Sequence, residues 1–144
     1  VPTELIQRTS FNADFNREAY TKDIMAVLDR HKIDLVAMAG FMTILSAAIF
    51  NRYRGKIINT HPSLLPDFKG ENAVQQALDA GVEVTGCTIH EATAELDNGP
   101  ILAQVEVPVK TGDTLETLWE RIKETERVIY PETLRKLMQG GDRP

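Results

Sequence analysis

Apolar positions change their period several times along the chain, and each change marks an element. Over residues 16–31, Tyr20, Ile24, Val27 and Leu28 form one stripe at helical spacing, with Asn16 positioned to cap its start. IDLVAMAG, at 33–40, is instead a short continuous apolar run ending in glycine. That pattern predicts a strand buried on both faces, as in a parallel sheet covered by helices. Ser46 stands as the N-cap of a helix over 47–54, with Gly55 as its stop. KIIN (56–59) predicts a second buried strand, and 71–80 a helix stopped by Gly81. TGCTIHEA (85–92) and PILAQVEVPV (100–109) predict two further strands, the second alternating toward its end. A long helix is predicted to open at Asp113, with Glu116 at capping-box spacing. Pro131 should break or kink it before a last helical piece running to about Gln139. This order of helices and strands predicts an α/β fold with an antiparallel portion late in the chain.

Composition narrows the picture little. A length of 144 residues suits one domain, and 42% hydrophobic with 26% charged residues is ordinary for a globular chain. No apolar stretch nears the roughly 20 residues that span a bilayer, so no membrane partner is expected. The net charge of −5, without a block of Lys or Arg, gives no sign of a nucleic-acid partner. The single cysteine, Cys87, permits no intrachain disulfide and no cysteine cluster for a metal. A reduced, cytoplasmic setting is the expectation. Nothing in the sequence sets an oligomeric state.

The segment INTHPSLLPDFKG (58–70) carries the first candidate chemistry. Side chains two apart on an extended chain share a face, so Asn59 and His61 point the same way at the end of an apolar strand. In open α/β sheets, ligands gather at that edge. Gly40 reaches the same edge after the other apolar run, and Phe41, Met42, Ile44 and Leu45 offer an apolar wall for a flat molecule. An Asn-x-His pair by itself equally well satisfies local backbone groups. His31 reads as a helix C-terminal group favoured by the dipole, and His90 as structural or pocket-lining. Asp97, before Gly99 and Pro100, reads equally as a turn aspartate. Glu126 falls inside the apolar stripe Leu115, Leu118, Trp119, Ile122 and Ile129, so its carboxylate requires a partner, either a cation of the chain or a polar ligand.

Four stretches together, LVAMAGFMTILS, INTHPSLLPDFKG, GCTIHEATAELDNGPIL and VKTGDTLETLWERIKETERVIYP, resemble the folate-dependent formyltransferases, specifically the glycinamide ribonucleotide transformylases of purine synthesis. The likeness runs from about Arg17 to Pro131. It implies an open Rossmann-like sheet, parallel and then antiparallel, flanked by helices. It also implies formyl transfer from 10-formyltetrahydrofolate, a co-substrate, to the primary amine of glycinamide ribonucleotide through a tetrahedral intermediate. By this resemblance Asn59 and a protonated His61 stabilise the oxyanion, and Asp97 favours the imidazolium and assists the amine's proton loss. Pro62 and Pro66 would hold the Asn–His pair in register. Folate would contact Arg17, Met42, Thr43, Ile44, Leu45, Asn59, Thr93, Ala94 and Asp97. The nucleotide substrate would contact Gly40, Pro62 and Glu126, the last through its ribose hydroxyls. No metal is implied.

Two departures accompany the resemblance. Thr43 stands where the family usually has Arg, so that side chain's contribution to folate binding is absent. The family's opening strand and Gly/Asn/Ser-rich phosphate loop have no counterpart before Arg17, so a single domain over 1–144, truncated at its N-terminus relative to the family, is expected. Related chemistries supply the alternatives. Formyltetrahydrofolate deformylases usually carry a second His where Pro62 stands, so Pro62 and Glu126 favour the transferase. Methionyl-tRNA formyltransferases add a β-rich tRNA-binding domain. A folate-binding fragment without catalysis is the alternative of another class.

Overall fold

The chain folds around one open four-stranded sheet, seen in a computed structural model that describes residues 1–140. The elements run α1 (Arg17–Arg30), β1 (Val36–Ala37), α2 (Ala47–Arg52), β2 (Ile57–His61), α3 (Ala73–Ala80), β3 (Val84–Glu91), β4 (Ile101–Pro108) and α4 (Leu115–Met138). The strands lie in sequence order; β1 pairs with β2 in parallel, and both later pairs are antiparallel. This is the mixed α/β architecture that the alternation of elements predicts.

Strand alternation divides β2 and β3 between two cores. Ile58 and Ile89 face α4, packing with Tyr130, while Cys87 joins Leu118 and Ile122 in the neighbouring cluster. Ile57 faces the other way, into a cluster with Leu45, Ile49 and Tyr53, beneath residues of α1. Tyr130 fastens α4 to the parallel strands: its hydroxyl lies 2.7 Å from the Met38 carbonyl and 2.9 Å from that of Ile58. The short α2 is likewise tied to α1, since the buried Thr21 hydroxyl accepts the Ser46 N–H at 2.9 Å.

Several local expectations change in the folded chain. The Asn16 side chain does cap α1, accepting from the Ala19 N–H at 3.0 Å. Ser46, however, occupies the N-cap position of α2 without a side-chain cap bond; Thr21 contacts its backbone instead. The 33–40 run forms only the two-residue β1, with Ala37 and Ala39 exposed. It pairs with β2 alone among the described residues, so its apolar character does not translate into burial on both faces. An apolar cleft lined by Ile24, Leu28, Val36, Met38, Phe41 and Leu45 opens beside it.

The long helix begins one residue later than expected. Thr114 and Thr117 form the capping box, while Asp113 is drawn to Arg121 by two hydrogen bonds of 2.7 and 2.9 Å and Glu116 takes no part. Pro131 neither breaks α4 nor divides it: the helix is continuous to Met138. Arg127, Val128 and Pro131 lie on the exposed side, so the carbonyl left without a proline N–H faces water. Buried Tyr130 and Thr133 anchor the helix on both sides of that residue. Trp119 is 42% exposed and sits at the rim, with Lys123 Nζ 5.1 Å from its ring centroid.

Candidate active site

β2 delivers three consecutive polar residues, Asn59, Thr60 and His61, to the same edge as the end of β1. Alternation sends Thr60 toward α4, where its hydroxyl donates to Glu126 Oε2 at 2.9 Å. Asn59 and His61 share the opposite face. The antiparallel register sets His90 opposite Asn59 and Thr88 opposite His61, so all four occupy that face. The half-buried Asn59 amide has no side-chain hydrogen bond among the described residues and is an open donor.

His61 is buried and its two nitrogens have different tasks. Nε2 lies 2.8 Å from the Phe68 carbonyl, which can only accept, so Nε2 carries a proton. Nδ1 faces Asp97 Oδ2 at 3.5 Å, an ion-pair separation longer than a charge-assisted hydrogen bond. That leaves Nδ1 as the nitrogen able to serve a reacting oxygen.

Asp97 reaches His61 from the loop between β3 and β4, which folds back across the sheet. Its φ of 53° is a left-handed conformation that Asp tolerates better than most residues. Oδ2 accepts the Gly70 N–H at 2.7 Å, and Oδ1 lies 4.0 Å from His90 Nε2, so the buried carboxylate sits between two imidazoles. Gly99 permits the loop's path: a Cβ there would meet the Glu91 carbonyl oxygen at 1.8 Å. His90 Nδ1 is 3.0 Å from its neighbour's carbonyl, at Glu91, while its buried Nε2 has no hydrogen-bond partner among the described residues. Burial holds its basicity below the ordinary imidazole value, against the Glu91 hydrogen bond and the Asp97 charge.

The loop after β2 is pinned from beneath by Thr88. Its hydroxyl donates to the Ser63 carbonyl at 2.7 Å and accepts the Leu65 N–H at 3.1 Å and Gln104 Nε2 at 2.9 Å. This hub, with Ser63 Oγ donating to the Asp67 carbonyl at 2.5 Å, sets the path that brings the Phe68 carbonyl to His61.

Asn59, His61 and Asp97 are therefore brought to one face, with His90 added to the group. Thr93 is half-buried and Ala94 exposed on the loop that carries Asp97. Met42 and Ile44 are exposed on the 41–46 loop, whereas the Leu45 side chain is buried in the α1–α2 core. Gly40 (φ 61°) turns the chain out of β1, Pro62 is half-buried behind His61, and Arg17 is exposed at the first position of α1. Glu126 stands apart on the other face; its partner is the Thr60 hydroxyl, and no cation pairs with it among the described residues. The hub at Thr88 and the Phe68 carbonyl were not legible beforehand, because both depend on the β2–β3 register.

An open mixed α/β sheet with a buried imidazole–carboxylate pair and an open amide at the end of its parallel strands is a scaffold for acid–base and oxyanion chemistry. The family model described as formyl transferase matches residues 1–134, and the chain belongs to that family. A phosphoribosylglycinamide formyltransferase of Mycobacterium tuberculosis is 52% identical over 126 residues, covering 88% of this chain and 59% of the relative. The trifunctional purine biosynthetic protein adenosine-3 of Bos taurus is 47% identical over 143 residues, 99% of this chain and 14% of that protein. Glycinamide ribonucleotide transformylase 1 of Symbiobacterium toebii superposes with a TM-score of 0.85 at 43% identity, over 87% of this chain and 59% of the solved one. The chain thus spans less than two thirds of the length of these relatives.

Proposed function

We propose that this chain carries the formyl-transfer centre of a glycinamide ribonucleotide transformylase, taking the formyl group from 10-formyltetrahydrofolate. The observation that carries the reading is the buried His61–Asp97 pair beside the open Asn59 amide, on a chain of the formyl transferase family. The substrate amine attacks the formyl carbon; a C–N bond forms and the carbonyl π pair moves onto oxygen. The Asn59 N–H and the Nδ1–H of protonated His61 donate to that oxyanion. Asp97 stabilises the imidazolium and receives the ammonium proton through water. Collapse restores the carbonyl, breaks the bond to folate N10, and a proton passes to that leaving nitrogen.

Folate lies along residues 41–45 and beneath Thr93, Ala94 and Asp97, with Arg17 toward its acidic tail. Glu126, held by Thr60 and free of a pairing cation among the described residues, accepts the ribose hydroxyls of the nucleotide, which Gly40 and Pro62 contact elsewhere along its length. Purified chain is assayed for transfer to glycinamide ribonucleotide and for formate release without it. Transfer that falls by about 10²–10³ in Asn59→Ala, and is similarly lost in His61→Ala, supports the reading. Formate release that ignores the amine would make the chain a hydrolase, and folate binding with neither product would make it a binding fragment.

A further inference from the structure

Two cations, one before α1 and one at its first position, make no ion pair with any carboxylate among the described residues. One is Arg17. The other, Arg8, lies on the segment before α1 and is half-buried. Its Cζ is 4.6 Å from the Phe11 ring centroid and 3.9 Å from that of Phe15. Nε donates to the Ser10 carbonyl at 2.7 Å, and Nη1 donates to the Thr43 hydroxyl at 3.2 Å. Nη2 has no protein acceptor among the described residues.

Partial burial of a charge without a counter-ion is unfavourable, and two aromatic contacts offset only part of that cost. The contacts nevertheless fix the guanidinium beside one loop residue, so its orientation is set before any ligand arrives. Thr43 itself brings no charge to the loop. On either side of it, Met42 and Ile44 expose apolar surface, 76% and 53% of their full area. The combination is exposed apolar surface at Met42 and Ile44 next to an oriented guanidinium that is bonded to the Thr43 hydroxyl between them in sequence and has no counter-ion among the described residues. A ligand that fits it has an apolar ring system ending in a carboxylate.

We infer that Arg8 is an anion-binding residue of the folate site and takes a carboxylate of the co-substrate's glutamate tail. This inference rests on the folate reading above. The tail carries folate's two carboxylates, while its benzoyl ring suits the Met42 and Ile44 surface. Arg8 and Arg17 then approach the tail from separate elements, and a guanidinium can hold a carboxylate through two parallel N–H bonds.

The test compares tetrahydrofolate with tetrahydropteroate, which lacks only the glutamate, by titration calorimetry on the 144-residue chain and on Arg8→Met and Arg8→Lys. The expected result is that wild type prefers tetrahydrofolate and that Arg8→Met loses about ten- to hundredfold of that preference, while its affinity for tetrahydropteroate is unchanged. Arg8→Lys keeps the charge without the fork and recovers part of the preference; it also decides the matter should Arg8→Met not fold. A preference for tetrahydrofolate that survives both substitutions, or no preference in wild type, overturns the assignment of Arg8 while leaving the folate reading intact. Failure of wild type to bind either compound overturns both.

Discussion

Replacing Thr88 with Val tests whether a single hydroxyl fastens the loop that orients His61. Valine keeps the shape of the side chain and substitutes a methyl for the oxygen, so packing at this fully buried site is nearly preserved. Three hydrogen bonds are lost. The Gln104 amide is on an exposed residue and keeps its bond of 2.9 Å to the Leu65 carbonyl, so it recovers by turning to water. The Ser63 carbonyl and Leu65 N–H belong to buried residues and lose the partner that reached them from β3. Each unsatisfied group costs about 1–3 kcal/mol, and the extra buried methyl returns about 0.8 kcal/mol. The expected loss is about 1–5 kcal/mol, which lowers Tm by roughly 3–5 °C for each kcal/mol in a chain of this size. Urea unfolding followed by far-UV circular dichroism measures it, with Thr88→Ser as the control that keeps the oxygen and costs only about 1 kcal/mol of packing. A Thr88→Val loss within 0.5 kcal/mol of zero would refute the reasoning. Serine losing as much as valine would do the same, because the methyl and not the hydroxyl would then matter.

Gly99→Ala should lower formyl transfer by tenfold or more, because a Cβ 1.8 Å from the Glu91 oxygen forces the loop, and Asp97 with it, to shift; rates at the wild-type level would show that the loop tolerates another path. His90 should make the fold acid-sensitive. Burial depresses its folded pKa, while Asp97 and the Glu91 carbonyl oppose that shift and His61 adds to it. The stability it contributes is therefore present above the unfolded value near 6.5 and is lost as pH falls toward and through the lower folded value. Urea midpoints between pH 7.5 and 5.5 should fall less in His90→Asn than in wild type, and equal slopes would contradict the assignment. Cys87, whose thiol is pushed up to about 11 by burial and by Glu126, should react with a thiol reagent only as the chain unfolds. Prompt labelling of the native protein would contradict that.

The parts of the fold legible in the sequence are those with a local cause. Asn16 caps α1 because its own side chain reaches the Ala19 N–H three residues on, and Gly81 ends α3 because its left-handed φ of 67° is a glycine conformation. Where several capping candidates stand together, distant partners choose among them. Thr21 claims the Ser46 backbone and Arg121 claims Asp113, which moves the cap of α4 to Thr114. The 33–40 run misleads for another reason: apolarity reports what a segment prefers, not how many neighbours it has. In the site, Asn59 and His61 were legible as a same-face pair at a strand end. The arrival of Asp97 was not, apart from the family resemblance, since it requires a loop that folds back over the sheet and a glycine without a Cβ at 99.

The alternation of β2 also explains why Asn59, Thr60 and His61 act as a unit. The first and third face the imidazole–carboxylate cluster, while the second holds Glu126 on the α4 face. A one-residue slip of β2 against β3 would exchange these faces, removing His61 from Asp97 and Thr60 from Glu126 together. The register is protected from both directions. Ile57 and Ile58 are each almost fully buried in opposite cores, so a slipped strand would still bury apolar side chains, but it would also drive Asn59 and His61 against Ile89 and Tyr130. Tyr130 adds a second constraint by holding the carbonyls of both Met38 and Ile58. The same packing that stabilises the sheet thus fixes the direction of each polar side chain at its end, and the site's geometry follows from the core's.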